Sequence, residues 1–275
     1  MQEKIGYDEI LRKLEGVQPG DTLYVVSDIL QLSVYCREQK VRFDINRFLD
    51  SILEKVGAEG TVLIPTFNWG FCKGETFDRK KTVSKTGALG NAALKRPDFK
   101  RTRHPLYSFA VWGKQQEKLT EMDPVDSFGE GTVFEYMYEQ EARVLVIGLP
   151  ALQGTTYIHH VEQMVGVPYR YHKEFRAPYV DSEGVAGEKT YRMYVRDLEK
   201  DPKHIQGFRP LEEKMRAEGL IHTRQYCGVD FSTLGVRDLH EAVKEDILNN
   251  DSRNLYVYHG QAGAAQESAH GGTAL

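Results

Sequence analysis

No apolar run in this chain approaches the ~18 residues that a membrane-spanning helix needs, so no span is expected. Met1-Gln2-Glu3-Lys4 lacks the apolar segment of a signal peptide, and the expected location is the cytoplasm. Cysteine is scarce. Cys36, Cys72 and Cys227 are odd in number and far apart, which argues against a disulfide framework or a zinc cluster built on thiols. An excess of positive charge is also missing: 36 Lys and Arg against 40 Asp and Glu give a net charge of −4, with no basic tract. Nucleic acid is therefore not an expected partner, nor is a membrane surface. A Gly-x-Ser-x-Gly elbow and a His-Glu-x-x-His pair are both absent, so neither a common serine hydrolase nor a common zinc protease is indicated.

What is present is the composition of a soluble globular protein, 40% hydrophobic and 28% charged over 275 residues. A single domain is expected over 1–259, with an antiparallel subregion at about 176–226. Residues 260–275 are Gly, Ala, Ser and Gln without apolar periodicity, and read as a disordered tail. Leu23-Tyr24-Val25-Val26, Thr61-Val62-Leu63-Ile64 and Val144-Leu145-Val146-Ile147 are short apolar runs that read as buried strands. Between the first two, Ile45, Phe48, Leu49, Ile52, Leu53 and Val56 recur at helical spacing. Tyr7, Ile10, Leu11 and Leu14 do the same near the start, and Val236, Leu239, Val243 and Ile247 near the end. Strand, helix, strand predicts a right-handed crossover and a parallel pair. Tyr179 to Tyr194 alternates around Ser182-Glu183-Gly184, as a hairpin does, and Leu255-Tyr256-Val257-Tyr258 reads as a last strand. The fold class read from this order is α/β, with a mostly parallel sheet.

Chemistry concentrates after the third strand, at Gly154-Thr155-Thr156-Tyr157-Ile158-His159-His160-Val161-Glu162. Gly154 breaks the loop and a Thr can cap the helix that follows. His159 and Glu162, three apart, share a helical face. The pair lies beyond the carboxyl end of a strand, where open α/β sheets place their sites. A carboxylate beside an imidazole fixes its tautomer and raises its basicity, which suits removal of a proton from an amine or hydroxyl. Thr156, or backbone N–H groups at the helix start, are candidates to hold an oxyanion. A zinc site on His159, His160 and Glu162 is disfavoured, because adjacent helical residues point about 100° apart. Asn68, Trp69 and Phe71 are candidates to wall a ligand pocket.

Five stretches, in order, resemble the aminoglycoside 3-N-acetyltransferase family. They are Gly20 to Asp28, Gly60 to Thr66 (Gly-Thr-Val-Leu-Ile-Pro-Thr), Ser84 to Leu89, Arg101 to Ala110 with its His104-Pro105, and Thr156 to Glu162. The resemblance implies a three-layer enzyme that uses acetyl-CoA or another short acyl-CoA and needs no metal. It puts the general base on His159, its carboxylate on Glu162 and a hydroxyl on Thr156. Ser27, Lys85, Thr86, Gly87, Arg103, His104 and Ser108 would line the CoA channel, with Lys95, Arg96, Lys100, Arg101 and Arg103 near its phosphates. Asp28, Asn68, Trp69, Tyr107, Tyr169 and Arg170 would face the acceptor. The family usually carries a His before the first serine, whereas this chain has Val26-Ser27-Asp28. In that respect it is similar to the branch encoded in surface-polysaccharide gene clusters. The basic and aromatic run Pro168 to Lys173 tilts the expected acceptor from an aminoglycoside toward a nucleotide-linked amino sugar. A non-catalytic CoA- or sugar-binding protein of this fold, a zinc-dependent amidohydrolase and a covalent relay through Cys72 stand as alternatives. An oligomer is compatible with the sequence.

Overall fold

The computed structural model describes residues 14–40, 42–199 and 204–258, together with Leu11. Tyr7 and Ile10 of the first expected helix and the expected tail at 260–275 lie outside the described residues, while Leu11 and Leu14 are buried.

Strand β1 (Thr22–Ser27) leads through helices α1 (Leu30–Glu38) and α2 (Ile45–Val56) to β2 (Thr61–Pro65). A 3-10 turn at Gly70–Lys73 and the short β3 (Phe77–Asp78) precede α3 (Ala88–Ala93), β4 (Lys100–Arg101) and β5 (Phe109–Gly113). Then come α4 (Gln116–Glu121), α5 (Val133–Glu139), β6 (Arg143–Ile147) and α6 (Ile158–Val165). A long hairpin follows, β7 (Arg170–Val180) and β8 (Ala186–Arg196). The described chain ends with β9 (His204–Gln206), α7 (Arg209–Ala217), β10 (Ile221–Tyr226), β11 (Val229–Gly235), α8 (Val236–Asn250) and β12 (Tyr256–Tyr258).

Seven strands form the main sheet in the order β10-β11-β6-β1-β2-β5-β4. β1 and β2 are parallel, as the strand-helix-strand order predicts, and β6 joins β1 in parallel on its other side. The flanking pairs are antiparallel, so the sheet is mixed and its parallel character is confined to the centre. Side chains alternate across it. Tyr24, Val26, Val144 and Val146 pack against α5, α6 and α8 on one face. Leu23, Val25, Leu145 and Ile147 pack against α1 and α2 on the other, giving the three layers. Helix α2 is started by Asp44, whose carboxylate accepts from the backbone N–H groups of Asn46 (2.9 Å) and Arg47 (3.1 Å).

The hairpin pairs Arg170 with Arg196 through Val180 with Ala186, and β3 lies parallel to β7 to complete a three-stranded sheet. The antiparallel subregion therefore begins at Arg170, about six positions before the expected bound near 176. Its expected end is also corrected: β10 belongs to the main sheet, because β10 and β11 continue that sheet from β6. Among the described residues no helix is long and apolar enough to cross a membrane.

Candidate active site

The exits of β1 and β6 are pinned together. Ser27 is in register with Ile147, and the Asp28 N–H donates to the Ile147 carbonyl at 2.8 Å. Gly148 follows with φ +71, and a Cβ there would stand 2.2 Å from the Asp28 carbonyl oxygen, so only glycine fits. From this junction the chain turns at Gly154, φ +80, and enters α6. The expected threonine cap does not form. Tyr157 is the N-cap, without a side-chain bond, and the Thr155 hydroxyl donates back to the Ala151 carbonyl at 3.0 Å. The N–H groups of Ile158 and His159 donate to the carbonyls of Thr155 and Thr156, which removes them as oxyanion donors. Thr156 itself is half-buried, with the buried ring of Tyr24 on β1 against it. The helix stops at Gly166, in the left-handed conformation, whose N–H donates to the Glu162 and Gln163 carbonyls.

On α6 the pair expected from spacing is in contact. His159 Nδ1–H donates to Glu162 Oε2 at 2.6 Å. Glu162 is fully buried, and every side of its carboxylate is met. Arg170 Nε stands 2.9 Å from Oε2, the Tyr169 hydroxyl donates to Oε1 at 3.1 Å, and the Tyr256 hydroxyl donates to Oε1 as well. Arg170 is held in turn by the Tyr194 carbonyl and the Tyr256 hydroxyl, both at 3.2 Å from its Nη atoms. Burial by itself would raise the Glu162 pKa. The Arg170 charge, then His159 and Tyr256, outweigh it and bring the carboxyl down to about 2. For His159 the direction is also down, from burial first and then the Arg170 charge, against the opposing pull of Glu162. At neutral pH the site thus holds an ionised Glu162, a cationic Arg170 and a neutral imidazole with 19% of its side chain exposed. His160 turns the other way and donates Nδ1–H to the Phe128 carbonyl at 2.5 Å. Among the described residues no group of three or more His, Cys, Asp or Glu is placed to hold a metal ion.

The other expected residues divide by location. A chain of ring contacts runs from His159 to Phe128 (5.5 Å between centroids), from Phe128 to Tyr107 (4.6 Å) and from Tyr107 to Trp69 (6.3 Å), which puts Tyr107 two rings and Trp69 three rings from His159. Tyr169 and Arg170 are in the site, but as partners of Glu162 rather than as a free acceptor surface. Asn68 is buried and closes its own loop, donating to the Val83 carbonyl (2.9 Å) and accepting from the Gly70 N–H (2.7 Å). Asp28 is exposed and accepts from the Leu30 N–H at 2.9 Å.

Ser27 and Gly87 meet at the carboxyl end of the central strand β1: Gly87 has φ +112, and a Cβ on it would come within 3.3 Å of the Ser27 carbonyl. Lys85 is exposed beside them, and the Thr86 hydroxyl donates to the Pro65 carbonyl at 3.0 Å. Ser108 is fully buried, accepting from Arg101 Nε and donating to the Thr66 carbonyl, each at 2.9 Å. His104 is buried too, its Nδ1 accepting from the Tyr107 N–H at 3.2 Å, while Arg103 is half-buried. These bonds tie Ser108 and His104 into the protein interior, His104 beside a cavity it shares with Tyr107, Asp126 and Phe134. Of the basic cluster, Arg96 is tied to Asp50 and Asp98 and Arg101 is inside the protein, which leaves Lys95 and Lys100 exposed. Burial pushes the Cys72 thiol up to about 11, so it is protonated at neutral pH and a poor nucleophile for a relay. The residue that sequence reasoning missed is Tyr256, 94 positions from Glu162. Its strand was visible, but nothing local to that strand says where it docks.

The model of the aminoglycoside 3-N-acetyltransferase family matches residues 35–247. The SPbeta prophage-derived aminoglycoside N(3')-acetyltransferase-like protein YokD of Bacillus subtilis (strain 168) is 28% identical over 163 residues, 58% of this chain and 55% of that protein. Aminoglycoside N(3)-acetyltransferase VII of Streptomyces paromomycinus is 26% identical over 174 residues, 59% of this chain and 56% of that protein. The matched stretches thus span a little over half the length of these relatives. In fold the chain is similar to AAC-IIIb binary with CoASH, with a TM-score of 0.73 at 17% identity over 89% of this chain and 95% of the other. Sisomicin-bound AAC-VIa gives 0.74 at 16% identity over 89% and 98%. With the family model spanning every element from within α1 to within α8, the chain belongs to the aminoglycoside 3-N-acetyltransferase family.

Proposed function

We propose that the chain is an acyl-CoA-dependent N-acyltransferase that acetylates a primary amine of an amino sugar. The observation that carries this reading is the half-buried, neutral His159 with its Nδ1 engaged by Glu162 at 2.6 Å, which leaves Nε2 as the basic nitrogen. The family's name and the CoASH in a similar fold support the donor. In this chain Ser27, Lys85, Thr86 and Gly87 would hold it, where Gly87 and β1 approach without an intervening side chain. When bound, the thioester supplies the activated acyl carbon.

His159 Nε2 takes the amine proton as the C–N bond forms. The C–S bond breaks with its electron pair on sulfur, and the proton passes from Nε2 to the departing thiolate. The Thr156 hydroxyl is the donor we assign to the oxyanion, since the adjacent backbone N–H groups are bonded elsewhere. Trp69 and Tyr107 give the acceptor ring an aromatic wall. The names of the relatives favour an aminoglycoside acceptor. The tilt toward a nucleotide-linked sugar loses Tyr169 and Arg170, which are committed to Glu162, and keeps exposed Tyr171, His172 and Lys173.

The test is thiol release from acetyl-CoA across a panel of aminoglycosides and nucleotide-linked amino sugars. His159→Ala should lower turnover by roughly 10²–10⁴-fold while CoA binding persists. Turnover that survives this change, or thiol release with no amine in the panel, sinks the reading.

A further inference from the structure

Glu162 has no exposed surface, yet the proposed chemistry needs it ionised beside a neutral ring. A buried carboxylate with a single nearby base takes its counter-charge from that base, so a lone Glu162–His159 pair would hold a proton and could not receive another. The fold answers this with a permanent cation. The guanidinium stays charged at any working pH, and Arg170 Nε lies 2.9 Å from the same oxygen that His159 contacts. Its Nη2 lies 3.1 Å from His159 Nδ1. Nδ1 is either a donor to Glu162 or an acceptor from Arg170, and the shorter contact, 2.6 Å, is the one to Glu162.

We propose that Arg170, backed by Tyr256 and Tyr169, is a positioning residue that clamps Glu162 in the orientation fixing the Nδ1–H tautomer and leaving Nε2 as the base. This rests on the acyl-transfer reading above. The clamp also assists the second half of the step, because an imidazolium formed beside the guanidinium is poorly stabilised and gives its proton up to the thiolate.

The charged and titratable surroundings are consistent with this role. From β7 come Arg170 and the preceding Tyr169, the latter also bonded to the Ser252 hydroxyl at 3.2 Å. From β12 comes Tyr256, and from β8 come the Tyr194 carbonyl and Arg196, whose guanidinium lies 5.8 Å from the Tyr256 ring centroid. The loop before α5 contributes the Phe128 ring. Asp126 does not compete for His159, being bonded to Arg192 at 2.6 and 2.7 Å and lying 3.7 Å from His172. On α6 itself, His160 is turned toward the Phe128 carbonyl.

The experiment follows the His159 ring by NMR in the full chain, with its signal assigned by its loss in His159→Ala. In Arg170→Gln the titration midpoint should rise by about one pH unit or more, and Arg170→Lys should restore most of the wild-type value. Tyr256→Phe, which keeps the ring and loses one hydroxyl, should shift it the same way by less. In the acyl-transfer assay the acid limb of kcat/KM should move in parallel, with kcat lowered and KM for acetyl-CoA nearly unchanged. An unmoved midpoint in folded Arg170→Gln and Tyr256→Phe overturns the clamp. A moved midpoint in a protein without thiol release from any acceptor upholds the clamp and removes the acyl-transfer reading instead.

Discussion

In the proposed reaction His159 acts as the neutral imidazole, and its pKa lies below the ordinary 6.5 because burial and Arg170 both disfavour the imidazolium. The acid limb of kcat/KM should therefore fall below pH 6.5, and a pH–rate profile of the wild-type chain checks this. Glu162→Gln leaves Arg170 buried without its counter-charge, so it should destabilise the fold by about 3 kcal/mol as well as reduce turnover; urea unfolding separates the two effects. The His159–Glu162 contact was legible in the amino-acid spacing alone, since positions three apart on a helix must adjoin. The role of Arg170 was not. A basic residue near a reactive stretch reads as substrate-facing until its partner is seen, and its partner is a carboxylate on another element. Asn68, His104 and Ser108 carry the same lesson. Their residue types suit ligand contact, but each is buried and bonded within the protein.

Between elements, the decisive feature is the meeting of strand exits. β1 and β6 run parallel and end level, so the loops after Ser27 and Ile147 open on the same side, where α6 begins. Gly148 lets them close without an intervening side chain. Gly148→Ala should cost about 1–3 kcal/mol from the positive φ alone, with more from the clash on the Asp28 carbonyl. Its chemical-denaturation midpoint should drop, and activity should fall with the displaced entry to α6. Strand and helix identities along this path were readable from apolar periodicity. The helix start was not, because Thr155 bonds back to Ala151 instead of capping. That choice depends on the path of the loop, which local propensity does not set.

Across the molecule, burial has put several imidazoles where charge is unwelcome. His104 and His240 are each pushed down to about 4, and His159 and His160 are lowered too. A base with a depressed folded pKa binds fewer protons than in the unfolded chain. Stability is therefore full above pH 6.5 and is lost as the pH falls from 6.5 toward about 4. For fully buried His104 alone this is on the order of 3 kcal/mol. Thermal unfolding at pH 7 and pH 5 should show a clear drop, and a flat Tm over that range would refute the assignment. By itself the sequence determined the buried strands, the amphipathic helices between them and the contact between His159 and Glu162, because these follow from side-chain period and short-range spacing along one element. The tertiary structure alone decided that the pair is locked by Arg170 and Tyr256, and that Asn68, His104 and Ser108 are buried and bonded within the protein. Those outcomes depend on which distant segments share a low-dielectric space, and no local pattern encodes that proximity.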